Sequence, residues 1–312
     1  MPFDPRLFEP LPDAQRRSID DDFVAFALRR DGRPDVARRR LERREEFFER
    51  LAETPRPAWD GDPIDPVEFA RWHRGERPLS DAPPLVIWLV QVARANEGEG
   101  WGVEYLLDRG GFDGLGGDGG GLRPRDFADL EETYHTRIMR EICRSFGVDF
   151  ELREPPRVIR ESVKMMSRLP RRASYMLLLA GELMGTVAFA RMAARGEDLL
   201  EAHPAMQERV RMLMDEILVD EVGHVTFLLG SMKRWQLSAV RRLSLAYAGA
   251  SGASYGAGLR GEADALRRGI VEYGLDVMPE RVLRRAFVPE AYWPRACGAW
   301  PGAAGRAKPP GT

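Results

Sequence analysis

Apolar residues recur along most of this chain at the three- and four-residue spacing of one helix face, and strand-like alternation is lacking. The pattern predicts two solvated helices within residues 14–53, separated by a break at residues 31–34, which read Asp-Gly-Arg-Pro. Residues 54–83 are rich in Pro and Asp, which favours a wrapping loop with one short helix over residues 66–73. The chain is therefore expected to begin with polar helices and a loop.

Longer apolar segments begin after this loop and predict the helices of a core. A glycine-rich loop at residues 110–122 contains the pattern G-x-G-x-x-G, but the pattern follows a helix rather than a strand, which argues against a dinucleotide site. The core helices are predicted over residues 85–109, 124–147, 158–168, 172–194 and 204–232, and residues 236–248 and 262–286 supply further helices. A short connection between the helices of residues 172–194 and 204–232 predicts that they are antiparallel neighbours.

These elements divide an all-α chain into four parts. Residues 1–83 form an N-terminal extension of helices and loop. Residues 84–235 form a four-helix core, and the helices of residues 236–298 pack on it. Residues 299–312 are rich in Gly, Ala and Pro, and we expect them to be a disordered tail.

Composition narrows the classes of protein that the chain can belong to. Of 312 residues, 44% are hydrophobic, enough to bury a sizeable core. The formal net charge of −2 gives no reason to expect a nucleic-acid partner, and two cysteines cannot form a disulfide framework. The longest apolar run, near residues 175–192, is interrupted by Glu182, and the N-terminus lacks a signal segment. We therefore expect a cytoplasmic protein without a membrane partner.

Two short motifs of the same form carry the chemistry. Residues 131–135 read Glu-Glu-Thr-Tyr-His, and residues 220–224 read Asp-Glu-Val-Gly-His. In a helix, positions i and i+3 lie on one face about 5–6 Å apart, so the second acid and the histidine of each motif can bind one metal ion. Two of the four histidines lie in these motifs, and the others, His73 and His203, are expected at the surface. The pairs Glu132–His135 and Glu221–His224 are therefore candidate metal ligands.

Two further carboxylates would complete a dinuclear site of the kind found in ferritin-like helical bundles. Glu182 is the one acid in the apolar helix of residues 172–194, where an unpaired charge would be costly. Its distance along the helix from the connecting loop matches that of Glu221 on the next helix. Among the acids of residues 85–109 we favour Glu104 as the fourth ligand, with Glu97 as the alternate or as a carboxylate supporting the site.

Other residues are assigned from their position beside these ligands. A metal-bound histidine usually donates its second N–H to a carboxylate, so we expect Asp220 to bond His135 and Glu131 to bond His224. Thr186 lies one turn after Glu182, where its hydroxyl either bonds the carbonyl four residues earlier or delivers protons. The remaining residues of the same faces are predicted to line a substrate pocket: Trp101, Met139, Leu178, Leu179, Phe189, Met214 and Ile217.

At these residues the chain resembles the p-aminobenzoate N-oxygenase family of ferritin-like di-iron enzymes. The matching pieces are Asn96-Glu97 followed by Glu104, the Glu-Thr-Tyr-His-Thr of residues 132–136, Gly181-Glu182, and Asp220-Glu221 with His224. The resemblance covers residues 85–235 and implies a ferritin-like bundle, two iron ions, O₂ as co-substrate and oxidation of an amine. It also implies that Glu104, Glu132, His135, Glu182, Glu221 and His224 are the metal ligands.

One position departs from that family. The family has an additional histidine ligand four residues before the last motif glutamate, and this chain has Ile217 there. The resulting set of four carboxylates and two imidazoles is similar to that of bacterial hydrocarbon monooxygenases. C–H hydroxylation or desaturation, or oxidation of an aldehyde or acyl group, is therefore the alternative reaction, and a non-catalytic ferritin-like metal-binding protein is a third.

The expected reaction has requirements that the chain does not meet alone. Carboxylate and imidazole ligands suit iron, with a manganese–iron pair as the alternative. Flavin and iron–sulfur motifs are lacking, so electrons are expected from an external reductase. The partners expected are a small organic substrate and this reductase, and the chain is compatible with a homodimer.

Overall fold

The computed structural model describes residues 6–35, 37–108, 122–155, 157–254, 268–270 and 272–301. The protein is 71% helix and 2% strand, which confirms the all-α prediction. Two short strands, β1 (Pro34–Asp35) and β2 (Arg40–Leu41), form an antiparallel pair. The helices are α1 (Asp13–Asp31), α2 (Glu42–Glu53), α3 (Pro66–Arg74), α4 (Pro84–Asp108), α5 (Pro124–Ser145), α6 (Arg157–Met166), α7 (Arg171–Leu199), α8 (Pro204–Ser231), α9 (Arg234–Ser254) and α10 (Glu280–Leu283).

Proline marks the start of several helices because its fixed φ suits the first turn and its missing N–H is not needed there. Pro66, Pro124 and Pro204 occupy this position in α3, α5 and α8. The side chain of Asp65 also accepts the backbone N–H of Val67 at the start of α3. These local signals explain why the predicted starts of α3, α5 and α8 agree with the observed ones.

Four long helices, α4, α5, α7 and α8, pack in a closed ring in which each contacts two others. Trp88 of α4 donates its indole N–H to the carbonyl of Met192 on α7 at 2.8 Å. A Cβ on Gly196 would lie 2.7 Å from that indole, so glycine is required for this close approach. Of these four helices, α8 is also covered by α1 and α10 and is buried along most of its length.

The first N-terminal helix, α1, is not solvated on all sides as predicted. α1 packs on α5 and α8 and buries Ile19, Phe23 and Ala27. The ring of Phe23 lies 4.7 Å from that of Phe227 on α8. Gly230 leaves space for this packing, since a Cβ there would lie 2.1 Å from Ile19 Cδ1. Polar residues outnumber apolar ones in α1, so the sequence pattern did not reveal the narrow apolar face that packs on the core.

The C-terminal region differs from its prediction in part. The helix expected over residues 236–248 is α9, but residues 255–267 and 271 lie outside the described residues. The described part of the helix expected over residues 262–286 is interrupted by a 3-10 turn at Leu275–Val277, and α10 begins only after Pro279. Most of the tail predicted to be disordered, residues 302–312, also lies outside the described residues.

α7 is more apolar than the interrupted sequence suggested. Within the described residues, the one helix long and apolar enough to cross a membrane is Ala173–Leu199, with a mean hydropathy of 1.4 over its most apolar stretch. Only 39% of that stretch is buried. Length and composition therefore do not exclude a membrane span here, and the cytoplasmic location stays a prediction. Glu182 nevertheless lies within this helix and points toward α8.

Candidate metal centre

The two motifs meet because α5 and α8 pack against each other. Within the described residues, two groups of metal-ligating side chains form there, and in each group all ligand atoms lie within 4.8 Å of one another. One group joins Glu132, Glu182 and His224, and the other joins Glu132, His135 and Glu221. Glu132 belongs to both groups. The arrangement could hold a metal ion on each side of one shared carboxylate.

The carboxylate of Glu132 divides its two oxygens between the two histidines. Its Oε1 lies 3.0 Å from His224 Nδ1, and its Oε2 lies 3.2 Å from His135 Nδ1. The same Nδ1 atoms face the other glutamates, at 3.7 Å to Glu182 and 3.6 Å to Glu221. Both imidazoles therefore present the same ring nitrogen to the glutamates between them.

The other nitrogen of each imidazole contacts the acid of the opposite motif, as the sequence predicted. Asp220 Oδ2 lies 3.2 Å from His135 Nε2, and Glu131 Oε2 lies 2.7 Å from His224 Nε2. Asp220 and Glu131 are both 1% exposed. Each carboxylate fixes the ring orientation of the histidine that it contacts, and thereby directs Nδ1 toward the glutamates.

Two arginines from the N-terminal helices complete the site, and the sequence did not predict them. Arg30 at the end of α1 and Arg44 in α2 both donate to Asp220 Oδ1. Arg30 also lies 3.6 Å from Glu131, and Arg44 donates to Glu216 at 2.8 Å. The sequence signal for such partners was the number of acids in the apolar helix α8. Buried acids require cations, and these had to come from elsewhere in the chain.

Burial and charge set the protonation of this region. Burial opposes ionisation of Asp220, but the attraction of Arg30 and Arg44 outweighs it and holds the pKa of that carboxyl well below its usual range. Burial also disfavours the charged form of His224, yet its contacts with Glu131, Glu132 and Glu182 raise its pKa well above the usual value. The glutamates between the histidines thus attract positive charge.

The donor set fits divalent metal ions. Glu132, Glu182 and Glu221 lie together and share contacts with the two imidazoles. Burial raises the pKa of Glu182. Buried charges are normally paired or bound to metal, and carboxylate with imidazole is a ligand set for iron and manganese. A metal ion would supply the positive charge that these glutamates attract.

Thr186 contacts two of the same residues. Its hydroxyl lies 2.7 Å from the carbonyl of Glu182 and 3.3 Å from Glu221 Oε2. The contact with the Glu182 carbonyl confirms the first expectation for this fully buried hydroxyl, and its role in proton delivery stays a prediction. Its single hydrogen can be donated to only one of the two oxygens at a time.

Glu104 is not placed with these ligands. Its side chain is exposed and lines a groove of about 240 Å³ between α4 and α5, beside Thr133 and Arg137. Thr133 follows Glu132 in the chain and so lies about 100° around the helix from it. The prediction of Glu104 as the fourth carboxylate requires a different rotation of α4 about its axis. The described ligand set therefore comprises three glutamates and two histidines.

Glu97, the alternate choice, contacts a histidine outside the motifs. Its Oε1 lies 3.1 Å from His73 Nε2. His73 is only 4% exposed, so the expectation that it lies at the surface is wrong. α3 folds back over α4, where Arg94 donates to the carbonyl of His73 and fixes this contact. His203 is partly exposed and pairs with Asp60 at 2.6 Å.

The predicted pocket residues are mostly inside the protein. Phe189 lies against the centre, with its ring 6.2 Å from that of His135. Trp101 is partly exposed and stacks on Tyr105. That the predicted residues line a substrate pocket stays a prediction. The members that are nearly or fully buried are Met139, Leu179, Phe189, Met214 and Ile217, and Leu178 is half-buried.

One further buried residue near the centre was missed. Tyr273 is 1% exposed, and its hydroxyl has no hydrogen-bond partner among the described residues. Burial, followed by the charge of Glu221, raises the pKa of this phenol above its usual range. The residue lies in the C-terminal region where the predicted helix is interrupted, so its place near Glu221 could not be predicted.

Comparison with protein-family models, curated proteins and solved structures finds no match for the chain.

Proposed function

We propose that the protein is an O₂-dependent non-haem di-iron oxygenase with a ferritin-like core formed by α4, α5, α7 and α8. Its substrate is a small organic molecule, and the reaction proposed first is oxidation of an amine nitrogen. The proposal rests above all on Glu132, whose two oxygens face the two motif histidines and which belongs to both groups of ligand atoms. A carboxylate shared by two groups of donors, each with a Glu-x-x-His histidine, fits a dinuclear site between helices of a bundle.

The residues of the chain have separate roles in this proposal. Glu132, Glu182, Glu221, His135 and His224 would hold two iron ions, which would supply the reduction of O₂. The contacts of Asp220 and Glu131 keep the histidines oriented, so that each Nδ1 faces the glutamates that would hold the ions with it. Buried side chains beside the centre, such as Phe189 next to His135, would limit the access of water and protect the oxidising chemistry from side reactions.

Proton supply falls to the hydroxyl of Thr186. It lies within 3.3 Å of Glu221 Oε2 and has a second acceptor at 2.7 Å in the carbonyl of Glu182. A rotation of the hydroxyl between these acceptors would move a proton toward or away from the carboxylate. Oxidation of an amine to a hydroxylamine consumes O₂, two electrons and two protons and releases water. The electrons come from an external reductase.

C–H oxidation is the second candidate, and two observations favour it. Ile217 lies one turn before Glu221 on α8 and is fully buried, so the helix offers carbon rather than nitrogen at this position. Thr186 lies one turn after Glu182, as its hydroxyl contact shows. A site without a third imidazole resembles that of hydrocarbon monooxygenases. The choice between amine and C–H substrates therefore depends on the reaction products.

The test is anaerobic loading of the full chain with ferrous iron, followed by metal analysis and rapid mixing with O₂ under an optical probe. We expect two iron ions per chain and a transient visible absorbance that requires O₂. Aromatic amines and hydrocarbons are then supplied with a chemical reductant, and the products are identified by mass spectrometry. Less than one metal ion per chain without an O₂-dependent signal would overturn the proposal.

A further inference from the structure

A second concave site lies behind the metal centre, on the far side of Asp220. It is a cavity of about 420 Å³ that opens to solvent between α1, α2 and the segment after α10. Arg30 and Arg44, which bind Asp220, form part of its lining. We call it the arginine pocket after six of the residues that line it: Arg29, Arg30, Arg43, Arg44, Arg50 and Arg285.

The acids of the arginine pocket are already bound by arginines. Glu216 accepts from Arg44 at 2.8 Å and also from Arg285. Asp31 accepts from Arg44 at 2.8 Å. Glu46 lies 3.8 Å from Arg50, one turn along α2. These pairs neutralise the inner wall, and the two remaining arginines of the lining are Arg29 and Arg43.

Arg29 and Arg43 form the outer edge of the arginine pocket. Both side chains are exposed, and neither has an ion pair among the described residues. Arg43 donates to the backbone carbonyl of Arg29, which joins the end of α1 to the start of α2. Two arginines held together without a carboxylate between them create a local excess of positive charge, and their planar forks suit a carboxylate or phosphate group.

Two aromatic rings supply an apolar wall. Phe26 and Phe47 are half-buried and line the same cavity. Phe47 is oriented by an edge-to-face contact with Phe48, whose ring centroid is 5.2 Å away. A ligand with a flat apolar body could cover these rings while its charged group reaches the arginines, and the cavity volume lies within the range of small-molecule sites.

We propose that the arginine pocket binds a small organic anion, with its carboxylate or phosphate group at Arg29 and Arg43 and its apolar body against Phe26 and Phe47. The site is separate from the proposed metal centre because it lies on the opposite side of Asp220 from His135. Anion binding here requires no metal, so the proposal stands independently of the oxygenase function.

The test is isothermal titration calorimetry on the full chain without added metal, at low ionic strength. The probes are phenyl phosphate, benzoate and inorganic phosphate. We expect saturable binding of phenyl phosphate or benzoate below about 1 mM, with the stronger of the two identifying the charged group. Inorganic phosphate should bind at least tenfold more weakly than phenyl phosphate, because it has no ring to cover the apolar wall.

Variants locate the binding. The double variant Arg29→Ala, Arg43→Ala should weaken binding of the organic anion at least tenfold, and circular dichroism should show an unchanged fold because both side chains are exposed. Arg17→Ala, an exposed arginine earlier in α1, is the matched control and should bind normally. Glu132→Ala should also bind normally, which separates the pocket from the metal centre. Absence of saturable binding, or equal affinity in the double variant and Arg17→Ala, would overturn the proposal.

Discussion

Asp220 Oδ2 lies 3.2 Å from His135 Nε2, although the two residues are 85 positions apart in the chain. The other oxygen of the same carboxylate accepts from Arg30 and Arg44. One buried side chain thus joins the proposed metal centre to the N-terminal helices. The orientation of His135 therefore depends on residues that precede the ring of four helices.

Asp220→Asn should weaken both the fold and metal binding. The asparagine removes the charged carboxylate that Arg30 and Arg44 share, and breaking a buried pair costs about 3–5 kcal/mol. Loss of the carboxylate contact to His135 should lower metal affinity roughly 10–100-fold. Urea unfolding and metal titration measure the two effects.

The matched control for Asp220→Asn is Asp276→Asn. Asp276 pairs with Arg6 at 3.0 Å, but its side chain is 52% exposed. Solvent screens this pair, so the substitution should change stability by less than about 1 kcal/mol. Equal unfolding midpoints for the two variants would contradict the buried network described for Asp220.

Asp31 should give the protein a pH-dependent stability that the variant Asp31→Asn lacks. Burial is the main cause that raises its pKa to about 7, against the opposing attraction of Arg30 and Arg44. The folded state therefore holds this proton more tightly than the unfolded state. The stabilising contribution is complete below about pH 4, the usual aspartate pKa, and is lost as the pH rises through about 7.

The measurement is the free energy of unfolding of wild type and Asp31→Asn at intervals between pH 4 and 8. The difference between the two should change steadily across this range. Asp220 does not contribute to that change, because its lowered pKa confines its effect to pH values below about 4. A constant difference from pH 4 to 8 would show that Asp31 keeps an ordinary pKa.

The helices and the ligand motifs could be predicted because both depend on local sequence. Pro124 and Pro204 mark helix starts, and the spacing of Glu132 and His135 fixes their common face whatever the helix packs against. The contact of Asp220 with His135 could also be predicted, because it follows from the chemistry of a ligating imidazole and from two equivalent motifs.

The rotation of a helix about its axis and the pairing of residues far apart in the chain could not be predicted in this way. Glu97 and Glu104 lie two turns apart on nearly the same face of α4, so periodicity cannot distinguish them. Only packing decides that Glu104 is exposed and that Glu97 meets His73. Arg30 lies in a charged stretch typical of a solvated helix, and its burial depends on acids almost two hundred positions later.

Metal stoichiometry distinguishes the structural ligand set from the one predicted by sequence. Glu132→Ala should abolish binding of both ions, because its carboxylate belongs to both groups of ligand atoms. Glu104→Ala should retain wild-type stoichiometry, because its side chain is exposed. The assay is metal analysis after anaerobic ferrous loading and desalting.

Glu49→Ala, an exposed substitution in α2, is the control for that experiment. Two ions in Glu132→Ala would exclude the shared-carboxylate site. Loss of an ion in Glu104→Ala but not in Glu49→Ala would restore the sequence-based assignment, and α4 would then have to rotate when metal binds.

Two buried tyrosines should respond in opposite directions to loss of the hydroxyl. Tyr134 and Tyr273 are each 1% exposed. The hydroxyl of Tyr134 donates to Glu45 at 2.7 Å and accepts the backbone N–H of Leu41 at 2.9 Å. The hydroxyl of Tyr273 has no such partner within the described part of the chain. Tyr134→Phe should therefore destabilise the protein by about 1–2 kcal/mol, whereas Tyr273→Phe should stabilise it by about 1 kcal/mol because a buried polar group is removed.

Urea unfolding of the metal-free chain measures the stability of both variants. Each variant is the control for the other, because both substitutions remove one hydroxyl and change the side-chain volume equally. A destabilised Tyr273→Phe would show that its phenol is bonded in solution, with Glu221 as the acceptor to test by Glu221→Gln.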